Sequence, residues 1–324
     1  MKKNLLFIFL IIATQCFGQC PFPVLLDSTG NCIGSILSVR TDSTISKIVW
    51  YKENVPIKTV LPITPNAGIT VAGGNGPDSA ANQLNFPKGI YLDEQDNLYI
   101  ADNVNNRVQK WSRGMASGTT VAGGHGAGAG ANQFNGPEAL YLDGGGNIYI
   151  MDYGNFRVQK WAPGATSGTT VAGGNGSGSA ANQFDFSTGM FIDAAGNIYI
   201  ADAHNNRIQK WQPGATSAIT VAGGNGAGAG ANQLNIPTDV FVDEAGDIYI
   251  TDLANQRIQK WAPGAVSGIT VAGGNGFGTA GNQLGLPNSL SVDKAGNVYV
   301  CDGYNDRVQK WSPGATSGIT VAGG

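Results

Sequence analysis

The stretch that decides the fold is GIYLDEQDNLYIADNVNNRVQKW at residues 89–111. Near-copies of this stretch follow, each displaced by 50 positions along the chain. The segment Val-Ala-Gly-Gly closes every copy, and before the first copy the same segment ends at Gly74. A fixed period of this length indicates a repeat architecture. The five tandem repeats are 75–124, 125–174, 175–224, 225–274 and 275–324.

Each repeat is predicted to form four short strands, which we call a, b, c and d in chain order. In the first repeat these strands are Gly89–Asp93, Asn97–Asp102, Arg107–Ser112 and Thr119–Gly123. Asn, Asp and Gly residues separate the strands, and no helical pattern occurs between them. Short runs with turn signals between them are typical of an all-β fold. The predicted fold class is therefore all-β.

The turns within a repeat have their own sequence patterns. Strands a and b are joined by Asp-x-x-Gly-Asn, as at Asp193–Asn197, where glycine supplies the positive φ of a short hairpin loop. Strands b and c are joined by Asp-x-x-Asn-x-Arg, as at Asp202–Arg207. If Asp102 faces Arg107 across this turn, the register of the whole hairpin is set. The remaining predicted pairs are Ile100 with Gln109, Leu98 with Trp111, Tyr99 with Lys110 and Ala101 with Val108.

This register places large apolar side chains on both faces of each sheet. An antiparallel sheet with one face in water alternates apolar and polar residues instead. Two buried faces indicate that each sheet packs between two others, as blades do in a β-propeller. An open solenoid is the alternative for tandem repeats. We expect a β-propeller of four-stranded blades, with five clear blades.

With these residues in view, a family resemblance can be stated. The series Gly-Ile-Tyr-Leu-Asp, Asn-Leu-Tyr-Ile-Ala-Asp and Asn-Asn-Arg-Val-Gln-Lys-Trp resembles the NHL repeat, and the match recurs in all five repeats. The resemblance implies a propeller, commonly six-bladed, from a family that binds proteins, RNA or extracellular ligands and includes a few metal-dependent lyases. A run of such repeats behind an export signal also resembles secreted bacterial surface proteins.

Residues 20–74 are expected to form a degenerate sixth blade. Val24–Leu26 precedes an a–b turn pattern at Asp27–Asn31, Lys47–Tyr51 is a candidate strand c, and Ile69–Gly73 matches strand d. The alternative is a partial immunoglobulin-like segment with Cys32 and Trp50 on successive strands, but half of such a sandwich leaves its core open to water. The chain ends at Gly324 on a repeat boundary, so further blades or an anchoring domain beyond it are an open alternative.

The first 19 residues have the layout of a secretory signal peptide. Two lysines precede a short apolar run, Leu5–Ile12, and a polar, small-residue stretch ends near Gln19. Secretion or display at the cell surface is therefore expected. A lipoprotein acylated at Cys20 is a weaker alternative because Gln19 is a poor match to the small residue that such processing needs.

Cysteine use agrees with export. An oxidising compartment permits a Cys20–Cys32 disulfide and leaves Cys301 free. Cys301 stands where the other repeats have small or apolar residues, so we interpret it as a core residue. No later segment is long and apolar enough to form a transmembrane segment.

Charge and motif content argue against several function classes. The formal net charge is −3 and no basic patch stands out, so nucleic acid is not an expected partner. The glycine-rich stretches are followed by strands rather than a helix N-terminus, which excludes a phosphate-binding loop. The Asp-x-Asn-x-Asn run at Asp102–Asn106 lacks the distal glutamate of a calcium loop. Only two histidines, His125 and His204, are available for a metal site, and no cofactor is predicted.

Features that recur in every repeat are interpreted as structural. The five Asp–Arg pairs of the b–c turns are expected to clamp the hairpins, because opposite charges that face each other across strands stabilise pairing. The five tryptophans are expected in the core or between blades. The series are Asp102–Arg107, Asp152–Arg157, Asp202–Arg207, Asp252–Arg257 and Asp302–Arg307, and Trp111, Trp161, Trp211, Trp261 and Trp311.

Function is expected where the repeats differ. The b–c and d–a loops share one rim of a propeller, and their variable residues suit a binding surface. Neutral drift after duplication is the alternative. The candidate ligand-binding residues on the b–c side are Tyr153, Phe156, His204, Tyr304 and Asp306. The candidates at the start of strand a, near the channel, are Lys88, Glu138, Thr188, Asp239 and Asn288.

The sequence favours a secreted or cell-surface scaffold that binds a protein or carbohydrate ligand. A secreted metal-dependent lyase or lactone hydrolase is the alternative, with Glu138, Asp239 and Asn288 as metal ligands in the channel. No catalytic residue can be named from a motif. A purely structural role through self-association is a third possibility, because the d strands are uncharged and rich in threonine.

Overall fold

The computed structural model describes residues 70–324 and, before them, the backbone of four strands. These strands pair in chain order in one antiparallel sheet: β1 Phe7–Ile8, β2 Leu37–Thr41, β3 Ile48–Lys52 and β4 Val55–Val60. The expected Cys20–Cys32 disulfide and the apolar run Val24–Leu26 lie outside the described residues. Cys301 is a free cysteine, as expected.

Five four-stranded antiparallel blades follow, one in each 50-residue repeat. Blade 1 consists of β5 Pro87–Leu92, β6 Leu98–Asp102, β7 Arg107–Trp111 and β8 Thr119–Gly123. Blade 2 consists of β9 Pro137–Leu142, β10 Ile148–Asp152, β11 Arg157–Trp161 and β12 Thr169–Gly173. Blade 3 consists of β13 Met190–Ile192, β14 Ile198–Asp202, β15 Arg207–Trp211 and β16 Ile219–Gly223.

Blade 4 consists of β17 Pro237–Val242, β18 Ile248–Asp252, β19 Arg257–Trp261 and β20 Ile269–Gly273. Blade 5 consists of β21 Pro287–Val292, β22 Val298–Asp302, β23 Arg307–Trp311 and β24 Ile319–Gly323. The b–c turns of blades 2, 4 and 5 contain short 3-10 turns at Tyr153–Asn155, Leu253–Asn255 and Gly303–Asn305. Among the described residues no helix is long and apolar enough to cross a membrane.

The predicted register of the b–c hairpin is confirmed in all five blades. In blade 1, Asp102 pairs with Arg107 and Leu98 pairs with Trp111, and the equivalent pairs recur in each later blade. Strand a differs from the prediction because it begins at the proline before the expected start in four blades. Blade 3 has Ser187 at this position, and its strand a is only Met190–Ile192.

The strands a of successive blades lie side by side at the centre of the fold, and strands d lie at the outer edge, where their first residues are exposed. The inner backbones approach closely at Gly89. A Cβ atom on Gly89 would lie 2.7 Å from the Glu138 carbonyl oxygen and 2.8 Å from the Ala139 Cα. Glycine is therefore required where blade 1 meets blade 2.

The core lies between blades, as the two-sided apolar pattern predicted. At each interface, one blade contributes residues of its strands b, c and d. The following blade contributes residues of its other face, which includes the repeated tryptophan. The interface between blades 1 and 2 contains Tyr99, Ala101, Val108 and Ala122 from blade 1 and Phe134, Leu140, Leu142, Ile148, Ile150 and Trp161 from blade 2. All five repeated tryptophans are at most 4% exposed, which confirms their structural role.

The Asp–Arg pairs hold the d–a loops as well as the hairpins. In blade 1 the Arg107 Nε donates to Asp102 Oδ2 at 2.7 Å, and the same distance recurs in all five blades. The rest of the Arg107 guanidinium donates to the backbone carbonyls of Ser79, Ala80 and Gln83. The clamp interpretation is confirmed, and the carboxylate of Asp102 is committed to this network rather than to a calcium site.

The first blade also packs against the segment that precedes it. Leu98, Ile100 and Trp111 contact Ala72 and Leu84 in one apolar cluster. Residues 70–73 nevertheless form no strand, so the strand d predicted over residues 69–73 is wrong for this part. Ala72 of this segment packs beside blade 1.

Candidate functional site

The b–c turns and the ends of the d–a loops lie together on one rim, as the sequence predicted. Backbone hydrogen bonds join them: Val104 N donates to Asn85 O at 3.2 Å, and Gly154 N donates to Asn135 O at 2.8 Å. We call this surface the b–c rim and define it as the b–c turns, the d–a loops and the first residues of strand a. Every candidate binding residue from the sequence belongs to this rim.

On blades 1 and 2 the rim carries an ion pair. Lys88 Nζ lies 3.4 Å from Glu138 Oε2, and each side chain is only 15% exposed. The Lys88 ammonium also lies 4.7 Å from the centre of the Phe86 ring, and Asn103 Nδ2 donates to Glu138 Oε1 at 3.2 Å. Burial raises the pKa of Glu138 above its ordinary value, although the Lys88 charge opposes this shift.

On blades 2 and 3 the rim carries an aromatic cluster. The Tyr153 ring meets the Phe186 ring edge-on, with centroids 5.5 Å apart, and Phe186 stacks on His204 at 4.6 Å. His204 Nδ1 lies 3.1 Å from Asp185 Oδ2. Burial raises the pKa of Tyr153, and the Glu138 and Asp185 carboxylates raise it further. This aromatic cluster, Tyr153, Asp185, Phe186 and His204, therefore lies in a negative field.

Two exposed phenylalanines of the rim were missed from the sequence. Phe86 and Phe186 are 38% and 37% exposed, and both have left-handed backbones, with φ of 55° and 52°. Bulky residues adopt this conformation only at a cost in free energy. Gly136 stands at the equivalent position of blade 2 with φ of 67°. A glycine that alternates with phenylalanine at one repeat position is the signal that could have revealed these residues.

We expect Phe186→Gly to leave the free energy of unfolding within about 1 kcal/mol of the parent, because relief of the left-handed strain offsets the lost ring contacts. Phe186→Ala keeps the strained φ and loses the same contacts, so it should be about 1–2 kcal/mol less stable than Phe186→Gly. Urea denaturation of the two variants measures the difference. Equal stabilities would show that the backbone at Phe186 is not strained.

Phe156 occupies a different environment from the one expected. Its ring is partly buried and packs against the apolar cluster between blades 2 and 3, which includes Met151 and Phe184. The equivalent residues Asn106 and Asn206 instead use their side-chain oxygens to accept hydrogen bonds from the next blade. Phe156 thus supports the rim from below, and sequence comparison of the repeats could not separate this role from an exposed one.

The candidates on blade 5 lie apart from the aromatic cluster. Tyr304 is 63% exposed and its ring contacts Phe277 of the same repeat, with centroids 4.7 Å apart. Asn288 and Asp306 are exposed beside it on the same rim. The structure therefore separates the sequence-predicted residues into a cluster on blades 1 to 3 and a smaller aromatic pair on blade 5.

Asp239 joins blades 4 and 5 instead of pointing free into the channel. Its carboxylate accepts hydrogen bonds from Ser289 Oγ at 2.8 Å and from Leu290 N at 3.0 Å. It stands one position after Thr238, which is the residue equivalent to Glu138. The edge strand has an irregular register between Pro237 and Asp239. Burial raises the pKa of Asp239 to about 6.

This shift predicts how stability depends on pH. The pKa of Asp239 in the folded protein lies above the ordinary value of about 3.9, so folding favours the protonated carboxyl group. The resulting contribution to the free energy of unfolding is present below pH 4 and is lost as pH rises through 6. Relative to Asp239→Asn, which does not titrate, the parent should lose on the order of 2–3 kcal/mol between pH 4 and pH 7. Urea denaturation of both proteins across this range measures the difference.

Cys301, which lies near Asp239, does not confound this comparison, because burial raises the pKa of its thiol to about 12. A stability difference between the parent and Asp239→Asn that stays constant from pH 4 to pH 7 would contradict the shifted pKa.

The charges of the b–c rim are unbalanced outside the Asp–Arg pairs. Lys88 is its single lysine, whereas it carries five carboxylates, those of Asp78, Glu138, Asp185, Asp239 and Asp306. These acids are distributed over the five repeats, and within the described part of the chain no group of three or more His, Cys, Asp or Glu side chains could hold a metal ion. The rim can thus offer aromatic faces and hydrogen-bond acceptors to a ligand.

The opposite rim has a half-open cavity of about 360 Å³ between the a–b turns of blades 2 and 3. Tyr141, Tyr149 and Ile192 line it together with the turns Asp143–Gly145 and Asp193–Gly196. The Asp143 carboxylate is held there by Asn147 and by the backbone of its own turn. None of the candidate residues from the sequence lies at this cavity.

Five four-stranded blades with a variable rim on an otherwise repeated scaffold define the class of the protein as a β-propeller. Residues 84–111, 134–161 and 284–311 match the family model of the NHL repeat. These segments run from the end of the d–a loop to the end of strand c in blades 1, 2 and 5. Three of the five blades of this β-propeller thus contain a segment that matches the NHL repeat. A search of curated proteins found no match.

Solved structures share the fold at low sequence identity. A chain of a nidogen/laminin complex has a TM-score of 0.56 and 16% identity, with 85% of this chain and 89% of that chain covered. A gluconolactonase from Xanthomonas campestris has a TM-score of 0.53 and 13% identity, with 73% and 75% covered. Catalytically inactive virginiamycin B lyase from Staphylococcus aureus with quinupristin has a TM-score of 0.50 and 11% identity, with 89% and 83% covered. At these identities the likeness shows the fold alone.

Proposed function

We propose that this propeller is a secreted or cell-surface scaffold that binds a protein ligand through the b–c rim of blades 1 to 3. The observation that carries the proposal is the aromatic cluster, which brings the rings of Tyr153, Phe186 and His204 together at the junction of blades 2 and 3. The equivalent positions at the junctions of blades 1 and 2, 3 and 4, and 4 and 5 hold at most one aromatic residue. Exposed aromatic groups on a rigid frame are typical of protein-binding surfaces.

The charge of the rim supports a protein ligand over nucleic acid. Five carboxylates and one lysine repel a phosphate backbone, which needs cationic contacts. The similar chain from the nidogen/laminin complex has the same fold and comes from a protein complex, which agrees with a protein ligand. A carbohydrate ligand is the competing outcome, since aromatic rings and carboxylates also suit sugar hydroxyls.

The test is a selection of random peptides displayed on phage against the immobilised full chain, together with a glycan array. The matched variant is Tyr153→Ala, which puts at this position the residue that blade 3 has at Ala203. We expect selected peptides to bind the parent and to lose at least tenfold in affinity for Tyr153→Ala. Glycan binding alone, or peptide binding that ignores Tyr153, would contradict a protein-binding rim.

An enzymatic role has weaker support. The gluconolactonase and the lyase share the fold, but the acidic residues considered for a channel metal are each engaged elsewhere. Glu138 pairs with Lys88, and Asp239 accepts from Ser289 and Leu290 of the next blade. We therefore keep the binding scaffold as the proposed function.

We also propose that residues 20–74 supply a sixth blade after removal of residues 1–19 on export. The apolar contact of Ala72 with the face of blade 1 that points away from blade 2 supports this proposal. Hydrogen exchange followed by mass spectrometry tests it. Amides in residues 37–60 should be protected as strongly as those of strand c in blade 5, and complete exchange of this region within seconds would contradict a sixth blade.

A further inference from the structure

We propose that the group recognised at the aromatic cluster is a lysine or arginine side chain of the protein ligand. The inference rests on the proposed function, because it names the chemistry by which the same rim selects its partner. Its evidence is a comparison of blade 1 with blade 3. Both blades have phenylalanine at the same repeat position, but they differ in the residue two positions later.

In blade 1 the chain supplies its own cation. The Lys88 ammonium lies 4.7 Å from the Phe86 ring centre and 3.4 Å from the Glu138 carboxylate of the next blade. An ammonium held between an aromatic face and a carboxylate is a favourable arrangement for a cation. Blade 1 therefore shows that this part of the rim can bind an amine with the required geometry.

In blade 3 the aromatic residue is kept and the lysine is replaced. Phe186 stands at the position of Phe86, with the same left-handed backbone and nearly the same exposure, but Thr188 stands at the position of Lys88. Tyr153 adds a second ring against Phe186. The side chains at this junction thus present two aromatic rings without a lysine from their own blade.

Negative charge surrounds these rings. Asp185 precedes Phe186 directly, and its carboxylate is 31% exposed and therefore accessible to a ligand. The Glu138 and Asp185 carboxylates also raise the pKa of the Tyr153 hydroxyl, after the effect of its burial. Asp185 is an asparagine in blades 1, 2 and 4, at Asn85, Asn135 and Asn235, so the charge is specific to the junction that has the aromatic cluster.

A buried hydroxyl adjoins the same junction. Ser187 is 2% exposed, and its Oγ has no hydrogen-bond partner among the described residues, whereas four other repeats have proline at this position. A buried hydroxyl without a partner costs free energy, so polar groups are seldom left in this state. Ser187 is therefore a further difference between this junction and the other four repeats.

The decisive experiment uses the peptides selected on the full chain. We expect arginine or lysine in the selected sequences, and replacement of the key arginine by citrulline should weaken binding about tenfold, because citrulline keeps the shape and loses the charge. Asp185→Asn should weaken binding of the arginine peptide by about tenfold as well. This variant restores the residue of blades 1, 2 and 4, so the fold is expected to tolerate it.

The matched control is Asp306→Asn, which removes the same charge from the same rim on blade 5 and should change the affinity less than about twofold. Equal losses for Asp185→Asn and Asp306→Asn would overturn the inference in favour of a general negative field. Peptides that lose affinity for Tyr153→Ala but bind equally well with citrulline would also overturn it, while the proposed function would stand. Peptides that bind Tyr153→Ala as tightly as the parent would refute both the inference and the proposed function.

Discussion

Asp252→Ala is expected to lower the free energy of unfolding by about 3–5 kcal/mol. The Asp252 side chain is fully buried, and its Oδ2 accepts from Arg257 Nε at 2.7 Å and from Asn255 Nδ2 at 2.8 Å. Its Oδ1 accepts from the backbone N of Asn235 at 2.7 Å. Removal of the carboxylate leaves a guanidinium that is 9% exposed without its counter-charge. It also removes the acceptor of the Asn235 N–H and one of the two acceptors of Asn255 Nδ2. Urea denaturation followed by tryptophan fluorescence measures the loss.

The control for this prediction is an exposed ion pair. Arg113 lies 3.8 Å from Asp96, with its side chain 44% exposed, so Arg113→Ala should cost no more than about 1 kcal/mol. A double variant, Asp252→Ala with Arg257→Met, should recover part of the loss because it no longer buries an unpaired charge. Similar losses for Asp252→Ala and Arg113→Ala would show that the repeated pair is not a structural clamp.

The clamps also explain why the rim can vary. Arg257 donates to the backbone carbonyls of Ala229, Gly230 and Gln233, so it holds the d–a loop of its repeat without using any side chain of that loop. The path of the loop is then independent of the residues at its end. Substitutions at positions such as 185, 186 and 204 can therefore change the surface while the blade keeps its shape.

The scaffold could be predicted from the sequence because its determinants lie within one repeat and recur. The Asp–Arg pair set the b–c register, and the register placed Tyr99 and Leu98 on opposite faces, as observed. Strand a was predicted to begin at Gly89, two residues after its observed start at Pro87. Proline has no amide hydrogen to donate to a neighbouring strand, so it is tolerated as the first residue of an edge strand.

The site could be predicted only in part because its contacts join different blades. Equivalent residues of adjacent blades are 50 positions apart and meet at the inner strands, as Lys88 and Glu138 do. Opposite charges at one repeat position in successive repeats were a usable signal that the sequence interpretation did not exploit. The contact of Tyr153 with Phe186 had no charge signal of this kind. It depends on a left-handed backbone just before strand a, which only the glycine at the equivalent position, Gly136, indicates in the sequence.

The second large effect is expected for Trp211→Ala, which should lower the free energy of unfolding by about 3–5 kcal/mol. Trp211 is 2% exposed and packs with Met190 and Ile200 of its own blade in the cluster between blades 2 and 3. Its indole N–H donates to Gln209 Oε1 at 3.1 Å, and the Gln209 side chain is itself buried. Alanine at this position removes the ring and leaves the buried Gln209 Oε1 without its N–H donor. The loss of stability therefore combines a cavity with an unsatisfied polar atom.

Two further substitutions separate these causes. Trp211→Phe keeps most of the apolar volume but removes the N–H donor, so it should cost less than alanine while still leaving Gln209 Oε1 without a donor. Tyr304→Ala on the rim removes an aromatic ring that is 63% exposed, and it should change stability by less than about 1 kcal/mol. If Trp211→Ala and Tyr304→Ala had comparable effects on the urea midpoint, the repeated tryptophans would not be the core of the blades, and a binding role for that series would have to be reconsidered.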